Sequence, residues 1–86
     1  MKEVKMFMFE GCPHCPKAAK MMEEIFAEHP EYTKVPLTVI DERKNPEIAS
    51  QYDYYYVPTF FAGGLKMIEC VPDKEAIRKV FAKAIE

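Results

Sequence analysis

The amino-acid sequence predicts an α/β fold with the element order β-α-β-α-β-β-α, and three observations carry the prediction. Apolar runs of strand length recur at Val4 to Phe9, Val35 to Ile40, Thr59 to Ala62 and Leu65 to Cys70. Longer segments with helical apolar spacing lie between and after these runs. Only Gly63-Gly64 separates the last two runs, which makes them an antiparallel hairpin.

Val4 to Phe9 mixes Met and Phe without strict alternation, the pattern of a strand buried on both faces. Glu10-Gly11 breaks it. From about Pro16 onward, Ala18, Met22, Ile25 and Phe26 share one helical face, while Lys17, Lys20, Glu23, Glu24 and Glu28 lie elsewhere. Pro16 suits a first turn, where its missing N–H has no partner to lose. His29-Pro30 ends the helix. Pro36 pushes its end of the second strand, Val35 to Ile40, toward a sheet edge or a strand start. Asn45-Pro46, a cap followed by proline, opens a short helix through about Tyr52. After the hairpin, Pro72-Asp73 opens the last helix, whose Ile77, Val80, Phe81, Ala84 and Ile85 form an apolar stripe. No repeat, linker or low-complexity segment interrupts the order, so residues 1–86 are expected to form a single domain.

The composition narrows the function. The chain has 86 residues, 49% hydrophobic and 30% charged, which suits a small globular protein and excludes a disordered one. A formal net charge of −2 without a basic block favours neither nucleic acid nor an anionic membrane surface. No apolar run approaches the ~20 residues of a membrane span. Met1-Lys2-Glu3-Val4-Lys5 lacks the apolar core of a signal peptide, so a cytoplasmic location is expected. Of the three cysteines, two are close-spaced, and in a reducing compartment such a pair is redox-active or metal-binding more often than structural.

That pair is Cys12-Pro13-His14-Cys15, between the first strand and the first helix. A thiol at a helix N-terminus is stabilised as thiolate by free N–H groups and the helix dipole. Its pKa then falls from about 8.5 toward ~3.5–7.5, and thiolate is the nucleophile in disulfide exchange. Residues three apart share a helical face, so Cys15 reaches back to Cys12 and closes a short disulfide. Cys12 is expected to be exposed and nucleophilic, and Cys15 to be shielded and resolving. Pro13 stiffens the turn. A charged His14 favours the Cys12 thiolate further, Lys17 and Lys20 act in the same direction, and Glu10 opposes them. A better-stabilised thiolate makes the couple more oxidising. A zinc site using His14 or His29 is the competing reading. Structural zinc takes four ligands in two spaced pairs, and the chain has no second C-x-x-C and no H-x-x-x-H, so no metal is expected.

The strand–Cys-Pro-His-Cys–helix unit together with Val57-Pro58-Thr59 resembles the thioredoxin and glutaredoxin superfamily over essentially the whole chain, in a short, glutaredoxin-like version. Ile40-Asp41 through Asn45-Pro46-Glu47 to Tyr52 is similar to the thioredoxin segment that leads into the proline loop. The Pro13-His14 dipeptide resembles the insert of periplasmic disulfide oxidases, without their signal peptide or inserted helical domain. Gly11 stands where thioredoxins have tryptophan, and the apolar Met6, Phe7 and Met8 where they carry a buried carboxylate. Ile68-Glu69-Cys70-Val71-Pro72-Asp73 lacks the glycine pair with which glutaredoxins hold glutathione.

The resemblance implies a mixed four-stranded sheet flanked by three helices, and a thiol–disulfide oxidoreductase without a bound cofactor. It implies a cis Val57–Pro58 bond that turns the Val57 backbone toward Cys12, where a substrate peptide adds as a short strand. Disulfide-containing proteins are the implied substrates, and a thioredoxin-reductase-like flavoprotein the expected reductant in preference to glutathione. A monomer is expected. The rival readings are a glutathione-coupled glutaredoxin and a non-catalytic metal- or partner-binding module on the same fold.

Some residues admit two readings. Cys70 is a small buried hydrophobe or a regulatory thiol. In Tyr52-Asp53-Tyr54-Tyr55-Tyr56, Tyr54 is expected to enter the core. Tyr55 and Tyr56 either hold a substrate beside the thiols or cover the helix–loop junction. Met6, Met8, Met21, Met22 and Met67 are expected to fill core gaps.

Overall fold

Alternation along the first strand sets the architecture of the computed structural model, which describes residues 1–69 and 71–86. In β1 (Val4–Met8), Phe7 points to one face of the sheet, where its ring meets Tyr52, Tyr54 and Phe61 at centroid distances of 4.9, 4.9 and 5.7 Å. Met6 and Met8 point to the other face, toward α1 (Cys15–Glu28). A strand apolar on both faces is a central strand, and β1 pairs in parallel with β2 (Leu37–Asp41) and antiparallel with β3 (Thr59–Ala62). With β4 (Leu65–Glu69) the sheet order is β2-β1-β3-β4, a mixed four-stranded sheet. The one-turn α2 (Pro46–Ala49) and α3 (Lys74–Ile85) complete the three α-helices, and the predicted element order stands.

The apolar stripes read from the sequence are the packed ones. Ala18, Met22 and Ile25 of α1 and Ile77, Val80, Phe81 and Ala84 of α3 are buried. The two helices meet at Phe26 and Phe81, edge to face at 5.1 Å. Asp73 caps α3, its carboxylate accepting the Ala76 N–H at 3.2 Å.

Several boundaries differ from expectation, and α2 is one of them: it stops at Ala49 rather than running on to about Tyr52. β1 ends at Met8, and Phe9 turns back so that its carbonyl accepts the Cys12 N–H at 3.1 Å. α1 begins at Cys15, one residue before Pro16. Residues Pro30–Lys34 form a 3₁₀ helix that the sequence reading leaves as a break; it buries Tyr32 against Phe81. The second strand starts at Leu37 because Pro36 has no N–H for the ladder, although its carbonyl accepts the Val4 N–H at 2.8 Å. β2 is an edge strand. Gly63 and Gly64 both take positive φ, 57° and 87°, as a two-residue hairpin turn requires. One irregularity shifts the hairpin register: Phe61 faces Lys66 but Phe60 faces Ile68, so Met67 is the extra residue and Glu69 comes to lie opposite Thr59.

Candidate active site

The site is assembled at the end of β1, the start of α1 and the loop before β3. Gly11 turns the chain with φ 92°, a conformation that residues with a Cβ adopt at a cost. A Cβ built there meets nothing within 4 Å, so backbone conformation rather than space favours glycine over the tryptophan of the resemblance. Cys12 and Cys15 follow, with Cα atoms 5.4 Å apart and the sulfurs joined as a disulfide. His14 is the N-cap of α1, whose first turn has no side-chain cap and no acidic residue, so the helix itself leaves the positive end of its dipole uncapped near the sulfurs.

The loop after α2 closes on the cysteines from the other half of the chain. The Val57–Pro58 bond is cis, and Pro58 is fully buried. The Val57 carbonyl oxygen lies 3.8 Å from Cys12 Sγ, a distance at which the reduced thiol donates to it. Tyr54 packs on Phe7, and its hydroxyl donates to Glu42 at 2.8 Å. Burial, with help from Glu42, raises the Tyr54 phenol well above the ordinary tyrosine range.

Two clefts flank the disulfide. One, about 250 Å³, is lined by Cys12, Pro13, His14, Tyr55, Tyr56 and Val57 among others. The second, about 550 Å³ and mostly apolar, runs along Met6, Met8 and Met22 and reaches both cysteines. Cys12 borders both clefts and Cys15 only the apolar one.

This pairing of a C-x-x-C at a helix start with a cis-proline loop coincides with a match of residues 2–82 to the model of the thioredoxin domain. The chain belongs to the thioredoxin family. A thioredoxin of Methanocaldococcus jannaschii is 33% identical over 87 residues, spanning 99% of this chain and all of that one. Among solved structures, a thioredoxin variant from Halobacterium salinarum is 27% identical with a TM-score of 0.70, covering 99% of this chain and 75% of that one. Oxidised thioredoxin from Plasmodium falciparum, 21% identical with a TM-score of 0.70 over 95% of this chain and 79% of its own, shares the fold. Family membership and the Cys12–Cys15 disulfide make this protein a thiol–disulfide oxidoreductase.

One expectation is corrected for this thioredoxin. Cys12 is not the exposed partner of a shielded Cys15: the two residues are 4% and 5% exposed. In the disulfide each sulfur covers the other, and the Val57 carbonyl closes over Cys12. The difference between the cysteines lies in which cleft each borders. Tyr55 and Tyr56 are 84% and 65% exposed, whereas Tyr52 and Tyr54 pack on Phe7. Met6 and Met22 are buried as expected, yet with Met8 they also line the apolar cleft. Glu10 has a counter-charge in Lys44 at 3.9 Å, in an exposed pair. Cys70 lies outside the described residues. Among the described residues, no cluster of three or more His, Cys, Asp or Glu could hold a metal, and no helix is long and apolar enough to cross a membrane.

Sequence reasoning missed Glu69. Its carboxylate accepts the N–H groups of Tyr55 and Tyr56, at 2.5 and 3.0 Å, beside the cysteine-facing loop. Counting back from Gly63-Gly64 without the irregularity sets Ile68 opposite Thr59 and leaves Glu69 one step further on; only the bulge brings it into place.

Proposed function

We propose that this thioredoxin reduces disulfides of protein substrates, with Cys12 as the nucleophile and Cys15 as the resolving thiol. The Cys12 thiolate attacks one sulfur of the substrate disulfide, and the other sulfur leaves as a thiolate and takes a proton. The Cys15 thiolate then attacks Cys12 Sγ in the mixed disulfide. The Cys12–Cys15 bond forms, and the second substrate thiol departs. Two electrons and two protons have passed from the dithiol to the substrate.

The observation that carries this assignment is that Cys12, and not Cys15, borders the cleft formed with Tyr55, Tyr56 and Val57. A substrate strand laid against the Val57 backbone, beside the buried Pro58, brings its sulfur to Cys12 first. The exposed Tyr55 and Tyr56 rings supply contact area beside it. Pro13 and His14 tune the pair from the turn before α1.

A thioredoxin-reductase-like flavoprotein, in preference to glutathione, is the proposed source of electrons, in the cytoplasm and with the protein acting as a monomer. Asp73 already occupies an N–H group at the start of α3, and Pro72 offers none, which leaves little there for a glutathione carboxylate.

The test is Cys15→Ser in the reduced protein, mixed with a disulfide-bonded protein substrate. The expected product is a stable mixed disulfide mapped to Cys12. An adduct on Cys70 instead, or no adduct while wild type turns over, would reverse the assignment.

A further inference from the structure

Residues 52–58 contain neither strand nor helix, yet their backbone is held at several points. Tyr54 is fixed by its ring on Phe7 and by its hydroxyl on Glu42. The Tyr56 carbonyl accepts from the Thr59 hydroxyl. Between these anchors, one oxygen of Glu69 accepts both successive N–H groups, Tyr55 at 2.5 Å and Tyr56 at 3.0 Å. The other oxygen accepts from Lys66 Nζ at 3.0 Å. Two adjacent backbone N–H groups converging on one anionic oxygen form a nest, and bonds to an ionised acceptor are stronger than neutral ones. The Tyr55 and Tyr56 rings therefore extend into solvent from a backbone tethered to β4.

Burial does not require this arrangement. Exposed N–H groups find water at little cost, so the main consequence of the bonds is to restrict the loop. Restriction matters here because Val57, the next residue, presents its carbonyl to Cys12. A loop ordered only when substrate arrives would lose that ordering free energy from binding at each encounter; a loop ordered in advance does not.

We propose that Glu69 is a positioning residue for protein substrates, its carboxylate holding the Tyr55–Val57 backbone in the conformation that receives the peptide around the substrate disulfide. The assignment rests on the docking mode given under Proposed function. It separates two substrate classes. A disulfide within a polypeptide uses the loop edge, whereas a small neutral disulfide needs only access to Cys12.

The experiment compares wild type, Glu69→Ala and Glu69→Gln, each pre-reduced, against insulin and against hydroxyethyl disulfide in single-turnover reactions. For Glu69→Ala, the second-order rate constant with insulin is expected to fall by about tenfold or more, the scale of a misplaced reacting group. The rate with hydroxyethyl disulfide should stay within about twofold of wild type, which also shows that the variant is folded around its thiols. Glu69→Gln keeps an acceptor oxygen for the two N–H groups and should fall between the others. Amide hydrogen exchange at Tyr55 and Tyr56 should quicken in Glu69→Ala. An unchanged insulin rate in Glu69→Ala, or an equal loss with both disulfides, would overturn the proposal. Failure of wild type to reduce insulin at all would overturn the docking reading beneath it, a result recognisable without either variant.

Discussion

The carbonyl oxygen of Val57 lies 3.8 Å from the sulfur of Cys12, across 45 residues of chain. The contact sets two influences against each other. The N-terminus of α1 favours the Cys12 thiolate, while a carbonyl placed to accept from S–H favours the thiol.

If that geometry persists in the reduced protein, the Val57 carbonyl reports on the charge of Cys12. Its carbonyl-carbon NMR shift should follow the Cys12 titration, and the pH-dependent step should vanish in Cys12→Ser. A Val57 signal insensitive to pH between 5 and 9 (about the range in which such thiols titrate) would show that the two groups part on reduction.

His14 is expected to make the couple more oxidising. It occupies the N-cap position of α1 and borders the cleft shared with Cys12, so a proton on its ring would place positive charge beside the developing thiolate. His14→Ala should raise the Cys12 pKa and make the reduction potential more negative. A potential unchanged within about 10 mV, equivalent to about 0.5 kcal/mol for two electrons, would make His14 a bystander.

The electron source can be tested on the purified oxidised protein. A thioredoxin-reductase-like flavoprotein with its nicotinamide reductant should open the Cys12–Cys15 disulfide faster than glutathione at millimolar concentration, followed by free-thiol release. Faster reduction by glutathione, through a glutathionyl adduct on Cys12, would favour the glutaredoxin-like alternative.

The Glu69 clamp predicts a stability difference confined to one pH window. The Tyr55 N–H, then Lys66, then the Tyr56 N–H lower the Glu69 carboxyl from 4.5 to about 2. A carboxyl depressed on folding contributes stability that is fully present above its unfolded pKa and is lost as pH falls through its folded one. Wild type should therefore exceed Glu69→Gln in urea midpoint at pH 7, with the gap closing from about pH 4.5 down to about 2. Urea midpoints measured across that range check it; a gap that survives at the acid end would have another cause.

The sequence alone determined the features that depend on near neighbours. Apolar spacing gave the buried faces of α1 and α3, because side chains three and four apart share a helical surface. Two glycines between apolar runs gave the β3–β4 hairpin. Three-residue spacing at a strand–helix junction put Cys12 and Cys15 within disulfide reach, with α-carbons 5.4 Å apart. Tertiary structure decided what surrounds that disulfide. Pairing of β1 with β3 carries the Val57 carbonyl to Cys12, and the two sulfurs bury one another where the sequence suggested an exposed nucleophile. The tyrosines divide by what lies beneath them: Tyr52 and Tyr54 find Phe7, whereas Tyr55 and Tyr56 extend past the edge of the core. Glu69 reaches the loop only through a register shift at Phe60 and Phe61, since one extra residue in a strand changes which residues lie opposite without changing the hydrophobic pattern by which a strand is recognised.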